Sequence, residues 1–137
     1  MAITGGCLCG SVRYTIDAQP LAARHCWCRD CQYIGAGSGT VNVFFPSEAL
    51  TVEGRLTAYQ SSAASGNAMH RQFCPKCGTP LFTQSEARQQ VIGIRAGTLD
   101  DPEVGKPSKT IWISSAPSWA VFDPDIPRDE KQPAPLT

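Results

Sequence analysis

Seven cysteines in three short clusters constrain the fold of this chain more than any other feature. The first cluster is a Cys-x-Cys pair, the second is a Cys-x-Cys-x-x-Cys run, and the third is a Cys-x-x-Cys-Gly knuckle. In order along the chain they are Cys7 and Cys9, then Cys26, Cys28 and Cys31, then Cys74 and Cys77. Such spacings indicate either metal sites or a disulfide framework, and an odd number of cysteines disfavours complete disulfide pairing.

The start of the chain bears on the choice between metal and disulfides. It reads Met-Ala-Ile-Thr-Gly-Gly-Cys, which lacks the charged region and apolar run of a signal peptide. The sequence also has no apolar stretch long enough to span a bilayer, so we expect no membrane association. Both observations predict a cytoplasmic protein, in which thiols stay reduced and clustered cysteines bind metal.

The spacing divides the cysteines into a set of four and a set of three. Two dithiol pairs make a closed site with four sulfur ligands, which is the arrangement of structural zinc. The middle run brings three sulfurs together, because residues i and i+2 of a strand face the same side. Three sulfurs leave one position of a tetrahedral zinc open, as in catalytic sites. The closed site is predicted at Cys7, Cys9, Cys74 and Cys77, and the open site at Cys26, Cys28 and Cys31.

Other ligand assignments stay open at this point. His25 and His70 are the two histidines of the chain, and either would convert the open site into a second structural site. His25 adjoins Cys26 and would point to the opposite face of a strand, and His70 falls in the middle of another predicted strand. An exogenous fourth ligand is therefore preferred. A partition that joins the first cysteine pair to the middle run would leave the last pair short of ligands.

Alternating apolar residues predict a mainly β fold with eight to ten short strands. In residues 11–17, Val12, Tyr14 and Ile16 alternate with polar residues, which is the pattern of a half-buried strand. Residues 91–96 are apolar on both sides, which indicates a central strand. No stretch has an apolar period of 3.6 over three turns, so little helix is expected. We therefore predict one mainly β, zinc-stapled domain with little helix.

Two hairpins follow from the positions of the turns. Strands at 68–73 and 78–83 flank the last cysteine pair and would form a hairpin like that of a zinc ribbon. Residues 50–52 and 56–59 flank Gly54 and are predicted to form the other hairpin.

Length and charge bound the domain organisation and the partners. The 137 residues correspond to one domain. We place the β domain at residues 1–124 and an extended, Pro-rich and charged tail with little core of its own at 125–137. The formal net charge is zero and the Lys and Arg residues are scattered, which argues against nucleic-acid binding.

An open zinc site with three sulfur ligands is suited to activating a thiol. Zinc lowers the pKa of a bound thiol, so a small thiol such as glutathione would be held as its thiolate and add to a carbonyl carbon. Arg29, beside the ligands, would either meet a substrate carboxylate or lie as a solvated turn residue. Trp112, Trp119 and Phe122 would either wall a cleft or pack in the core.

Four stretches of the chain carry a family resemblance. They read Gly-Cys-Leu-Cys-Gly-Ser-Val-Arg-Tyr at 6–14, His-Cys-Trp-Cys-Arg-Asp-Cys at 25–31, Phe-Cys-Pro-Lys-Cys-Gly-Thr at 73–79 and Arg-Ala-Gly-Thr-Leu-Asp at 95–100. Trp112 and Trp119 continue the likeness. Over residues 3–124 the chain resembles the glutathione-dependent formaldehyde-activating enzyme family, which also includes centromere protein V.

This resemblance implies a fold of small β-sheets called a β-tent and a carbon–sulfur lyase activity. The lyase would form or split S-hydroxymethylglutathione, with glutathione as co-substrate and formaldehyde as the carbonyl compound. Two zinc ions per chain are implied, a structural one on the set of four cysteines and a catalytic one on the set of three. One alternative is a non-catalytic zinc-binding module with two structural sites. The other is a redox protein that uses Cys28 and Cys31, but this chain lacks the βαβ pattern in which a redox Cys-x-x-Cys motif occurs.

Overall fold

A computed structural model describes residues 2–63 and 65–136 and has the predicted mainly β architecture with little helix. Within these residues there are ten strands and one short α-helix, α1, at Arg29–Ile34. The strands are β1 Ile3–Gly6, β2 Arg13–Ile16, β3 Ala22–Cys26, β4 Thr40–Pro46, β5 Leu50–Glu53, β6 Thr57–Ser62, β7 Ala68–Phe73, β8 Pro80–Ser85, β9 Val91–Arg95 and β10 Lys109–Ile111. Single 3₁₀ turns lie at Ser47–Ala49, Ala96–Thr98, Pro102–Gly105 and Ile113–Ser115.

The strands form a sheet of three and a sheet of seven. The small sheet has the order β1-β2-β5 and is antiparallel. The large sheet has the order β10-β3-β4-β9-β8-β7-β6, so it is larger than the small sheets expected from sequence. All its pairs are antiparallel except that of β10 with β3, which is parallel. All five residues of β9 are buried at the centre of this sheet, which confirms the predicted central strand.

The two sheets share one apolar core. On β2, Tyr14 and Ile16 are buried while Arg13 and Thr15 are exposed, which confirms the predicted alternation. These side chains belong to the same core as Val43, Phe45, Phe82 and Ile94 of the large sheet. Burying each such side chain contributes about 1.5–3 kcal/mol, so this contact holds the sheets together.

One predicted hairpin is correct and the other is wrong. Strands β7 and β8 pair around the last cysteine pair, with a register shift at Gln72/Phe73 where the chain enters the knuckle. Strands β5 and β6 do not pair with each other within the described residues, because β5 adds to β2 and β6 adds to β7. Gly54 has φ +105° and lies against the backbone of Ser11, so the chain here crosses between sheets.

The C-terminal tail runs along the edge of the large sheet. Thr110 N donates to Pro127 O at 3.0 Å and Asp129 N donates to Thr110 O at 2.9 Å. Lys109 adds an ion pair with Asp129 at 3.0 Å. The boundary at 124/125 stays a prediction. Over residues 2–63 and 65–136, no helix has the length and apolarity needed to cross a membrane.

Candidate metal centres

Two groups of cysteine sulfurs meet in the structure. Within each group the Sγ atoms all lie within 4.8 Å of one another. The first group, called the quartet, is Cys7, Cys9, Cys74 and Cys77. The second group, called the trio, is Cys26, Cys28 and Cys31. All seven cysteines are free thiols, and the grouping is the one that the spacing predicts. Their roles as ligands stay a prediction.

The quartet joins two turns that are far apart in sequence. One turn follows β1 and the other follows β7, and the Sγ atoms of Cys9 and Cys74 approach to 3.8 Å across them. Backbone amides point at the sulfurs, since Val12 N donates to Cys7 Sγ at 3.2 Å and Lys76 N donates to Cys74 Sγ at 3.4 Å. Although burial opposes it, the hydrogen bond from Val12 helps to lower the pKa of Cys7 to about 7, which favours the thiolate form that binds metal.

A hydroxyl group adds to this effect at the edge of the quartet. The Thr79 hydroxyl lies 3.1 Å from Cys77 Sγ and lowers the pKa of that thiol to about 5. This pKa favours the thiolate form of Cys77 at neutral pH.

The trio is local and buried. Cys26 is the last residue of β3, and Cys28 caps the N-terminus of α1 by accepting a hydrogen bond from Cys31 N at 3.4 Å. All three are less than a tenth exposed. Hydrogen bonds to Cys26 and Cys28 lower the pKa of Cys31 to about 3, and the hydrogen bond to Cys28 raises the pKa of Cys26. Hydrogen bonds among the three thiols therefore favour a thiolate within the trio.

Both groups fit a thiophilic metal ion. Soft thiolate ligands are those that zinc, copper(I) and iron–sulfur clusters prefer, and tetrahedral sites with four sulfurs are typical of structural zinc. The quartet supplies four such donors and the trio supplies three. The two groups differ in the number of positions that a tetrahedral ion would have left for an outside ligand.

Neither histidine joins the trio. His25 Nε2 is 2.8 Å from Ser38 O, on the far side of its strand. His70 lies on β7 next to Arg71, and neighbouring residues of a strand face opposite sides of the sheet. Arg71 faces the cavity beside the trio, so His70 faces away from it. Among residues 2–63 and 65–136, the metal-ligating side chains that meet here are the three cysteines.

The trio opens into a cavity of about 150 Å³ on the face of the large sheet that carries Arg24 and Asn42. At about 10–15 Å³ per water position, this volume accommodates roughly ten waters. Gly93 keeps the cavity open, since a Cβ there would lie 2.7 Å from Thr83 Cγ2 and 3.1 Å from Phe44 Cε1. The end of the tail contributes to the wall through Gln132, which accepts from Trp112 Nε1 at 2.9 Å.

Four arginines line this cavity, and sequence reasoning missed all of them. They are Arg24, Arg71, Arg88 and Arg95. Two of them share a signal in the sheet register, because Arg24 pairs with Asn42 and Asn42 pairs with Arg95 across three adjacent strands. Arg24 is also two residues before Cys26, so it shares the face of that cysteine. This row of side chains becomes visible only once the strand order is known.

The residues that the sequence offered as cavity walls are mostly elsewhere. Arg29 is exposed, stacks on Tyr33 with 5.2 Å between the guanidinium carbon and the ring centroid, and hydrogen-bonds Gln32. Trp119 and Phe122 pack on Trp27, with ring centroids 6.3 and 5.9 Å away. Arg29 therefore takes the solvated role of the two alternatives, and neither Trp119 nor Phe122 lines the cavity beside the trio.

Trp112 does line the cavity and packs against the trio. Its backbone has φ 59° and ψ 37°, a left-handed conformation that is uncommon outside glycine. The strand β10 ends at Ile111, one residue earlier, and the indole Nε1 of Trp112 donates to Gln132 of the tail.

Comparisons with known proteins agree with this picture. The family model described as glutathione-dependent formaldehyde-activating enzyme matches residues 2–115. A Halomonas elongata protein named "Putative glutathione-dependent formaldehyde-activating enzyme" is 23% identical over 129 residues, which cover 90% of this chain and 82% of that protein. A crystal structure of a Rhodobacter sphaeroides protein has the same fold, with a TM-score of 0.59 and 24% identity over 76% of this chain and 96% of that one.

Proposed function

Because this chain belongs to the glutathione-dependent formaldehyde-activating enzyme family, we propose that it is a zinc-dependent carbon–sulfur lyase. It forms or splits the adduct of a small thiol and an aldehyde, of the S-hydroxymethylglutathione type. The trio is the proposed catalytic zinc site and the quartet the proposed structural one. The observation that carries the proposal is three buried sulfurs meeting at the wall of a cavity while His25 is engaged elsewhere.

The reaction redistributes bonds without a change of oxidation state. In the forward direction the S–H bond of the thiol breaks, and a C–S bond forms at the carbonyl carbon. The proton ends on the former carbonyl oxygen, which becomes the hydroxyl group of the adduct. In the reverse direction the same atoms separate into thiol and aldehyde. No electron acceptor is consumed, so the activity requires only a site that stabilises the thiolate.

The residues around the trio have distinct tasks in this account. The three cysteines would hold zinc, which when bound lowers the pKa of a substrate thiol toward neutrality. Arg95 is buried beside them and interacts electrostatically with Cys31, so it offsets negative charge at the site. Ile111 and Trp112 pack against the trio and limit the access of water. A drier site strengthens these electrostatic interactions.

The quartet has a different task. Its four sulfurs would enclose zinc completely and leave no position for a substrate. All seven cysteines must stay reduced for both sites to bind zinc, and we therefore place the enzyme in the cytoplasm.

The direct test is the exchange between formaldehyde and glutathione, measured by NMR with zinc-loaded protein. We expect the exchange to be faster than in the uncatalysed mixture, and the Cys28→Ala variant to lose this acceleration. As the control, metal analysis of Cys28→Ala should show that zinc is still bound at the quartet, so that the loss of activity is not a loss of the fold. An unaccelerated reaction with two zinc ions bound per chain would instead favour a non-catalytic module with two structural sites.

A further inference from the structure

The cavity beside the trio has an excess of positive charge. Four arginines line it, and its described lining residues include no Asp or Glu. Arg71 is paired with Asp30 at 3.2 Å. Within the described part of the chain, no carboxylate comes within 4.0 Å of the guanidinium groups of Arg24, Arg88 or Arg95. Within residues 2–63 and 65–136, Arg24, Arg88 and Arg95 therefore have no carboxylate as an ion-pair partner.

Arg95 is balanced by the cysteines themselves. Its Nη1 donates to Asn42 Oδ1 at 2.7 Å and to Thr40 Oγ1 at 3.4 Å, and both acceptors are neutral. Three thiolates around a divalent ion carry a net charge of minus one, from minus three plus two, and Arg95 is the buried cation beside them. Its charge is thus accounted for without a substrate.

Among the described residues, Arg24 and Arg88 form no ion pair with a carboxylate. The carboxylate of Asp129 acts on Arg24 only from beyond ion-pair distance and is itself paired with Lys109 at 3.0 Å. Arg24 stacks on Phe44, with 5.6 Å between the guanidinium carbon and the ring centroid, which fixes the group and leaves its N–H edges for a ligand. Its side chain donates no hydrogen bond to another described residue, and neither does that of Arg88. Both are partly buried at the cavity, where an unpaired charge is unfavourable.

The position of Arg24 relates this charge to the reactive site. It lies two residues before Cys26 on the same face of β3, so their Cα atoms are about 6–7 Å apart. A group bound by Arg24 would therefore belong to the same small molecule as a sulfur atom placed at the trio. Planar guanidinium groups bind carboxylates with two parallel hydrogen bonds.

Resting on the proposed function, we infer that Arg24 and Arg88 form an anion subsite that binds the carboxylate of the thiol substrate. The substrate class is then mercapto acids, and recognition depends on the acidic group and requires no ammonium group. Glutathione carries both groups, but the cavity has arginines for the first and no described carboxylate for the second. Mercapto acids without an amino group are accordingly substrates in their own right.

The test compares three thiols of similar size with formaldehyde. They are 3-mercaptopropionate (anionic), 2-mercaptoethanol (neutral) and cysteamine (cationic), and each rate is divided by that of the uncatalysed reaction. We expect kcat/KM for the anionic thiol to exceed that for the neutral one by about tenfold or more, because one hydrogen bond to a charged group changes affinity by at least about that factor. Cysteamine should be the poorest substrate.

Variants assign this selectivity to residues. In Arg24→Gln and Arg88→Gln the preference for the anionic thiol should fall severalfold through KM, and Arg24→Lys should restore part of it. Arg55→Gln is the matched control, since Arg55 is exposed and does not line the cavity in the described structure. An unchanged preference in Arg24→Gln and Arg88→Gln would overturn the subsite. A second assay pairs glyoxylate, an aldehyde that carries a carboxylate, with the neutral thiol 2-mercaptoethanol. If the arginine variants lose activity only in this assay, the subsite is also overturned, because the bound carboxylate would then belong to the aldehyde.

A binding measurement separates this inference from the proposed function. The probe is 3-(methylthio)propionate, which has the carboxylate but no thiol and is followed by ligand-observed NMR. Binding that is lost in Arg24→Gln and kept in Arg55→Gln supports the anion subsite even if no lyase activity is found. Binding that Arg24→Gln and Arg88→Gln leave unchanged contradicts the subsite even if the lyase is active.

Discussion

The quartet and the trio use the same ligand chemistry in opposite structural settings. The quartet joins turns whose closest pair of sulfurs is separated by 65 positions in sequence. Closing such a loop costs about 4 kcal/mol, while structural zinc binding is worth ~10–16 kcal/mol in peptides. The trio lies within six consecutive residues, 26–31, so a metal there closes almost no loop. A metal at the quartet would therefore stabilise the fold, and a metal at the trio would be free to serve chemistry.

The surroundings of the two groups of sulfurs also fit a structural role for the quartet and a catalytic role for the trio. The quartet is surrounded by backbone amides and hydroxyl groups, and Cys9 is exposed at the surface. The trio is buried and opens into a cavity lined by arginines. Hydrogen bonds from a rigid backbone fix a ligand set, whereas a cavity beside the sulfurs admits a substrate. The predictions below test this contrast from the strongest effect to the weakest.

The largest effect is expected from Cys74→Ala. Cys74 is fully buried in the quartet, and its loss removes a ligand and opens the link between the two turns. We expect the loss of one zinc per chain and of most of the stability, since zinc binding of ~10–16 kcal/mol is comparable with the whole stability of a domain. Circular dichroism melting together with metal analysis would measure this. A variant that melts like the wild type would contradict a structural quartet.

Cys28→Ala should separate activity from stability. It removes one sulfur of the trio and the cap of α1, which costs about 1 kcal/mol of stability. We expect the rate of thiol–aldehyde exchange to fall by at least about 100-fold. Mutating a residue that only hydrogen-bonds a metal ligand already lowers metal affinity or activity by up to about 100-fold, and this variant removes a ligand itself. Comparing the exchange rate and the melting temperature with those of Cys74→Ala tests the contrast. An equal loss of stability in both variants would contradict the contrast between the quartet and the trio.

Gly93→Ala should affect the cavity beside the trio and spare the quartet. The new Cβ would press on Thr83 Cγ2 at 2.7 Å and Phe44 Cε1 at 3.1 Å, an overpacking that costs about 1–3 kcal/mol. We expect a higher KM for the thiol and unchanged zinc content. Gly97→Ala is the matched control, because its Cβ would meet nothing within 4 Å. Equal kinetics in both variants would place the substrate outside this cavity.

Tyr14→Phe should change the alkaline stability of the small sheet. Burial raises the pKa of Tyr14 to about 12 from 10, and its hydroxyl lies 2.8 Å from Thr98 Oγ1. The folded state favours the neutral phenol, so this contribution is complete below pH 10 and is lost as the pH rises toward 12. Its size is on the order of 2–3 kcal/mol.

The measurement is the free energy of unfolding in urea between pH 9 and pH 12, compared with that of the variant. The wild type should lose more stability than Tyr14→Phe over this interval. Parallel pH curves for the two proteins would show that Tyr14 does not ionise on unfolding.

The parts of this molecule that were predictable from sequence depend on local patterns. Cysteine spacing gave both groups of sulfurs, and alternation gave β2 and the central β9. Motif resemblance gave the family, which the family model confirms. These signals are local because a strand or a knuckle is decided by residues a few positions apart.

The parts that were not predictable depend on register and long-range contact. Arg24 and Arg95 become neighbours of one cavity only through their pairing with Asn42. The expected hairpin around Gly54 was wrong, because a turn residue does not reveal which sheet the next strand joins. The path of the tail along β10 depends on hydrogen bonds that composition does not encode.

The central claim is that the quartet is closed and the trio is open, and ¹¹³Cd NMR of the cadmium-substituted protein tests it most directly. The account predicts two cadmium resonances, one for each group of sulfurs. Adding 3-mercaptopropionate or glutathione should shift the resonance that is missing in Cys28→Ala and leave the other unchanged. Two resonances that both ignore the thiol would contradict the claim, because the trio would then already have a complete set of ligands.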